Sequence, residues 1–112
     1  MTRACLARIA SREETVGAWA YLNERQALDQ ARALDEKKQS GEPLAPLHGI
    51  PVGIKDIIDT NDMPTECGSA LYAGRRPLED SMVAALLRRA GAVIMGKTVT
   101  TEMALSAPGK TT

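Results

Sequence analysis

Leu47-His48-Gly49-Ile50-Pro51-Val52-Gly53-Ile54-Lys55-Asp56-Ile57-Ile58 is an apolar, glycine-punctuated run with one lysine near its centre. In an extended chain Val52 and Ile54 fall on one face, and Gly53, Lys55 and Ile57 on the other. The run reads as a largely buried strand, yet lysine is almost never fully buried unless paired. Two readings of Lys55 follow. It is an edge-strand lysine whose tip reaches water, the commoner outcome for such a pattern. Or it is a lysine whose burial lowers its pKa until it serves as a base near neutral pH.

Helical signals flank the run. Residues 3 to 10 place Leu6 and Ile9 on one face of a short helix, and alternation over Val16 to Leu22 favours a short extended piece. Asn23 followed by Gln26 is a capping-box pattern that opens a helix to about Lys38, with Ala27, Leu28, Ala31 and Leu34 as its apolar face. Lys37 and Lys38 complement the dipole at its end, and Gly41-Glu42-Pro43 stops it. After a turn over Asp59 to Thr65, Asp80 is the expected N-cap of a second helix. Its buried stripe is expected at Met82, Val83, Leu86, Leu87 and Ala90, with Gly91 in the left-handed position that ends it. Ala92 to Met95 then reads as a short buried strand. Helix followed by strand at these lengths predicts an α/β chain with at least one parallel pair.

Composition narrows the function classes. The 112 residues allow at most one domain, and 44% hydrophobic with 25% charged residues is ordinary for a folded protein. Phenylalanine is absent, so Ala, Leu, Ile, Val and Met must build the core. Fourteen basic and fourteen acidic residues cancel, and aromatic residues are only 3% of the chain. No basic stripe or stacking platform argues for a nucleic-acid partner. No apolar run approaches the ~18 residues of a membrane span. Cys5 and Cys67 follow no metal or redox spacing, and one histidine with two scattered cysteines cannot make a zinc site. Reduced thiols point to the cytoplasm, and no cofactor or metal is expected.

Four other features invite a functional reading. Gly91-Ala92-Val93-Ile94-Met95-Gly96-Lys97-Thr98 satisfies the phosphate-loop pattern letter for letter. Its first glycine follows a helix and its middle is an apolar strand, so nucleotide binding through Gly91 to Thr98 is a distant alternative, and Lys97 and Thr98 read as the end of the strand and its turn. His48 reads as a hydrogen-bonded structural residue. Asp56 points away from Lys55 in a strand and is placed to hold neighbouring backbone, while Ser69, after a glycine, reads as turn chemistry rather than a nucleophile.

Gly49-Ile50-Pro51-Val52-Gly53-Ile54-Lys55-Asp56 closely resembles the lysine motif of the amidase signature family, serine hydrolases that cleave amide bonds. Ala27-Leu28 and Ala31 are similar to that family's amino-terminal helix, Cys67-Gly68-Ser69 to its Gly-Ser turn, and Asp80 to Lys97, with Ala90 to Thr98, to its next helix and strand, so the resemblance covers about Val16 to Lys110. It implies the amino-terminal part of the amidase signature fold, a mixed sheet covered by helices and incomplete in this chain, with residues 1–112 as a fragment of one amidase-type α/β domain. It implies Ser-Ser-Lys chemistry on non-peptide C–N bonds, in which Lys55 relays a proton through a bridging serine in a cis peptide to a nucleophilic serine, and an acyl-enzyme forms. Glu102, Met103 and Ala104 occupy the place where the family builds a wall of its substrate pocket, although Val99 stands where asparagine is usual. Both family serines lie in a Gly-Gly-Ser-Ser-Gly-Gly-Ser type stretch that these residues do not contain. The expectation is one member of a catalytic triad without the other two: a small-molecule amide substrate for the parent enzyme, and a fragment inactive alone. The rival is a non-catalytic module that folds by self-association.

Overall fold

Gly17, at φ 59° and ψ 42°, ends the first helix, because the left-handed region that stops a helix favours glycine. That helix, α1 (Thr2–Val16), is longer than the predicted residues 3 to 10, but Leu6 and Ile9 do form its inner face. The computed structural model describes residues 1–106. Within them follow β1 (Trp19–Leu22), α2 (Glu24–Gln39), β2 (Pro51–Lys55), α3 (Met82–Arg89) and β3 (Val93–Thr98), with single 3-10 turns at Ala70–Tyr72 and Glu102–Ala104. The extended piece expected over Val16 to Leu22 is observed only over Trp19–Leu22, since Val16 closes α1 and Gly17 caps it; at the start of α2 the Asn23 side chain accepts from the Gln26 amide at 3.0 Å, as expected.

The three strands form one mixed sheet in the order β1-β3-β2, with β3 antiparallel to β1 and parallel to β2. The last strand in sequence is therefore central and β2, which carries Lys55, is an edge. Helices α1 and α2 cover one face through Leu6, Ala27, Val93 and Met95. Ile54, Met63, Ala84 and Ile94 form the core on the other face, with Leu87 and Ile58 packed against it. Val93 and Ile94 are fully buried, and truncating such a residue to alanine costs ~2–5 kcal/mol.

One irregularity sets the chemistry downstream. Val52 lies opposite Ile94 but Gly53 lies opposite Gly96, so β3 carries one extra residue, Met95. A bulge in a parallel pair is uncommon, and it resets which face the following side chains take. Ile54 now pairs with Lys97, which turns Lys97 to the Ile54 face instead of the Val93 and Met95 face. Gly96 belongs to this bulge, since a Cβ there would land on the Tyr21 carbonyl oxygen.

Ending β1 opposite Gly96 leaves the Ile94 peptide groups on that side without a strand partner. Gln30, reaching in from α2, replaces the missing strand: its Oε1 accepts from the Ile94 amide at 3.0 Å and its Nε2 donates to the Ile94 carbonyl at 2.9 Å.

Two sequence expectations around α3 are corrected. The N-cap is Ser81, whose hydroxyl accepts from the Ala84 amide at 3.2 Å. Asp80 instead accepts from the Asn61 amide and from Arg88, drawn out of the cap position by these two donors. The predicted stripe is the inner face only in part: Leu87 packs against the core, but Met82, Val83 and Leu86 are 74%, 50% and 53% exposed. Ala84 is the residue buried against the sheet, with Leu87 beside it. The packed face is thus rotated about one residue from the apolar stripe, and the bulkier side chains point outward. No helix among the described residues is long and apolar enough to cross a membrane.

Candidate functional site

The apolar run 47–58 becomes a strand because its branched residues suit a pleated surface and its glycine permits close approach. A Cβ at Gly53 would meet Thr98 Cγ2 at 2.8 Å and Trp19 Cη2 at 2.9 Å, so only glycine fits there without a shift of the sheet. Lys55 ends β2 opposite Thr98 and is exposed among the described residues. Of the two geometries open to it, the edge-strand one is observed. Its backbone is tightly held: the Lys55 carbonyl accepts from the Ile57 and Ile58 amides at 2.8 and 3.0 Å, and the Asp56 amide donates to Thr98 O at 2.9 Å. A closed turn therefore begins at the lysine itself.

The buried lysine is Lys97. Its side chain is wholly inaccessible, and its ammonium donates to the Ile58 carbonyl at 2.7 Å and to Thr65 Oγ1 at 2.6 Å, 3.8 Å from Asp56 Oδ1. Burial lowers its pKa, while the Asp56 and Asp59 carboxylates oppose that shift. Burial likewise raises the pKa of Asp56, against the Glu66 amide and Lys97, both of which favour its charged form. Asp56 accepts from the Glu66 amide at 3.3 Å through either oxygen, so it does hold neighbouring backbone, and it also faces a cation that the sequence reading assigned to the strand's end. Farther along the same loop, Arg75 grips Asp59 through two bonds of 2.7 and 2.9 Å and keeps that carboxyl below its ordinary range.

This lysine also disposes of the phosphate-loop pattern. Gly91, at φ 86°, follows α3, and Val93–Thr98 is a strand whose first amides are already engaged by Ile50 O and Gln30. An ammonium committed to Ile58 and Thr65 has no freedom to reach a phosphate. His48 lies in a turn closed by its own amide on Ala45 O, and its Nε2 has no hydrogen-bond partner among the described residues, so the expected side-chain bond is not seen.

Beside the end of β2 opens a cleft of about 350 Å³, bordered by Asp56, Glu66, Ser69, Val99, Thr100 and Glu102 among others. Ser69 is buried; its hydroxyl donates to Glu102 Oε1 at 2.7 Å and accepts from the Leu71 amide at 3.3 Å, which is turn chemistry as expected. Gly68, at φ 64°, has the Thr100 carbonyl oxygen 2.8 Å from where a Cβ would stand. Of the residues singled out in the sequence, Asp56, Ser69 and Glu102 border the cleft, whereas Lys55, Met103 and Ala104 do not. Met103 and Ala104 nonetheless lie close by, with the Met103 amide donating to Cys67 O at 2.8 Å. Cys67, Met103 and Ala104 all hold positive φ, at 56°, 51° and 58°. Each such residue costs ~1–3 kcal/mol, and strain of this kind clusters at functional surfaces. No group of three potential metal ligands occurs among the described residues.

Comparison with known proteins gives a consistent picture. The family described as Amidase matches residues 1–112. A glutamyl-tRNA(Gln) amidotransferase subunit of Salinispora arenicola is 44% identical over 105 residues, 94% of this chain and 21% of that protein. The same subunit of Chloroflexus aurantiacus is 47% identical over 105 residues, again 94% of this chain and 22% of its own length. Among solved structures, the native peptide amidase of Stenotrophomonas maltophilia superposes with a TM-score of 0.83 at 40% identity, covering 90% of this chain and 21% of that one. The chain spans about a fifth of the length of these relatives.

Proposed function

Because the chain belongs to the amidase family, we propose that it is the lysine-bearing segment of an enzyme that hydrolyses the C–N bond of a small-molecule amide, with Lys55 as the base of a Ser-Ser-Lys relay. The observation that carries this reading is the Gly49–Asp56 motif, placed at the end of β2 beside a cleft, in a chain that matches the family from end to end. Relatives named as a peptide amidase and as part of an amidotransferase both handle amide groups, which supports the substrate class.

In this reading Lys55 is neutral when it acts. It takes the proton of the nucleophilic serine through the bridging serine, and the serine oxygen adds to the amide carbonyl. The amine leaves with a proton returned along the same path, and water or another acceptor releases the acyl group. Moving a lysine from its reference value of about 10.4 to neutrality requires roughly three units, or ~4 kcal/mol. Lys55 is exposed in residues 1–106. The downstream part of the domain supplies both serines and the walls that desolvate Lys55, so the segment alone is inactive. The two cysteines are unpaired, which supports a reducing, cytoplasmic setting.

The test uses the full-length protein that carries this segment and a fluorophosphonate probe, which phosphonylates an activated serine with loss of fluoride, whatever the natural amide. The expected result is stoichiometric labelling of a serine downstream of residue 112, with Lys55→Ala removing nearly all of the rate. Labelling of Lys55→Ala at the parent rate would end the relay assignment.

A further inference from the structure

Lys97 has no task in the relay just described, yet it is the largest fully buried side chain among the described residues. Burying an ammonium costs several kcal/mol even after relaxation, whereas a methionine would fill similar space without that penalty. What the charge does is therefore to be read from what it touches, and every contact converges on one short segment. Its two hydrogen bonds end on Ile58 and Thr65, and its counter-charge is Asp56.

That segment begins where Lys55 ends. The Ile58 amide donates to the Lys55 carbonyl while the Ile58 carbonyl accepts from Lys97. One continuous chain of bonds thus joins the backbone of Lys55 to the ammonium on the central strand. Asp56 completes a second connection: its amide is tied to Thr98 O, its carbonyl accepts from the Cys67 amide, and its carboxylate faces Lys97. The extra residue at Met95 is what brings Lys97 opposite Ile54 and under this turn. Lys55 and Lys97 consequently occupy opposite faces of the sheet, so the second lysine acts on the first through the backbone and not by competing for its partner.

We propose that Lys97 is a positioning residue for Lys55: by locking the turn over Asp56–Ile58 from beneath, it fixes the direction in which the Lys55 side chain leaves β2 toward the bridging serine. The inference rests on the amidase reading and adds a residue to it. Because β2 is an edge strand, nothing on its outer side among the described residues can perform the same service. A buried charge suits the task better than an apolar filler, since it sets the position of a carbonyl and a hydroxyl at once, with defined direction.

The experiment follows fluorophosphonate labelling of the full-length protein across a pH series, separating the labelled fraction from the second-order rate per labelled site. In Lys97→Met the expected result is a rate ~100-fold lower, the scale of loss from misplacing a catalytic group by about 1 Å, together with a displaced pH midpoint. Thr65→Val, which deletes one contact and keeps the lysine, should show the same two changes to a smaller degree. It decides the matter if Lys97→Met does not fold. A reduced labelled fraction with unchanged rate and midpoint would mean that Lys97 only stabilises the fold, and would overturn the proposal. Normal labelling of Lys55→Ala would end the relay assignment on which the proposal rests, a result distinct from normal labelling of the Lys97 and Thr65 variants with Lys55→Ala inactive.

Discussion

Gln30→Leu tests how the sheet is completed. The Gln30 amide group serves both peptide groups of Ile94, a residue with no exposure, where β1 has already ended. Leucine is close in volume but offers neither donor nor acceptor. Leaving a buried backbone group unpaired costs ~1–3 kcal/mol, so two of them cost ~2–6 kcal/mol. Two effects pull the figure down. Leucine gains ~1 kcal/mol of apolar burial at this half-buried position. Water can also approach through the open groove between α2 and Asp62. A net loss of about 2–3 kcal/mol follows, which for a unit of this size is a fall in Tm of roughly 10–20 °C. Urea denaturation measures the loss directly, and hydrogen exchange at the Ile94 amide shows whether it is local. Gln30→Glu provides a control: ionised, it can accept from Ile94 N–H but repels Ile94 O, so its stability should recover as pH falls through about 4.3. A loss under ~0.5 kcal/mol at unchanged m, with Ile94 still protected, would refute the view of Gln30 as a substitute strand.

Two further outcomes are expected. Arg75 holds the Asp59 carboxyl below its ordinary value of 3.8, so the pair adds stability that is fully present above that value and lost as pH falls through the lower folded value. Arg75→Met should therefore differ most from the parent above about pH 4 and converge with it in acid; a difference that grew on acidification would reverse the argument. The isolated 112-residue chain should self-associate through the exposed Met82, Val83 and Leu86, and sedimentation should show Met82→Lys with Leu86→Lys shifting it toward monomer. A parent chain that stays monomeric at all concentrations would count against that surface.

What the sequence made legible were features that depend on near neighbours. The Asn23 cap, the turn at Gly91, the strand read at Ala92 to Met95 (which in the structure runs Val93–Thr98) and the parallel pairing rest on spacing or on local backbone preference. The Asp80 cap failed because Asn61, from a distant loop, and Arg88, two turns along α3, compete for the same carboxylate. The α3 stripe held only at Leu87, because the helix turns the small Ala84 to the sheet and periodicity cannot say which apolar face wins. Lys97 was missed for a different reason. Simple alternation puts it on the Val93 and Met95 face, and only the bulge at Met95 sends it to the other. No local pattern announces that bulge; Gly96, in the middle of a strand, was the one available hint. The role of Lys55 came from resemblance and not from spacing, and its exposure follows from the edge position of β2.

The strand order also has a consequence for synthesis. β1 and β2 never bond to each other; each needs β3, which the ribosome makes after both. Roughly 40 residues separate Lys55 from Thr98, so at ~5–20 residues per second the nascent chain carries its lysine strand unpaired for roughly 2–9 s. Helices α1 and α2 can form and meet during that interval, but they have no sheet to cover. The apolar run from Leu47 to Ile58 is meanwhile a sticky, uncommitted segment, open to chaperones and to neighbouring nascent chains. Sheet formation here is a single late event, triggered when Val93 to Thr98 clears the exit tunnel and slots between two strands that have been waiting for it.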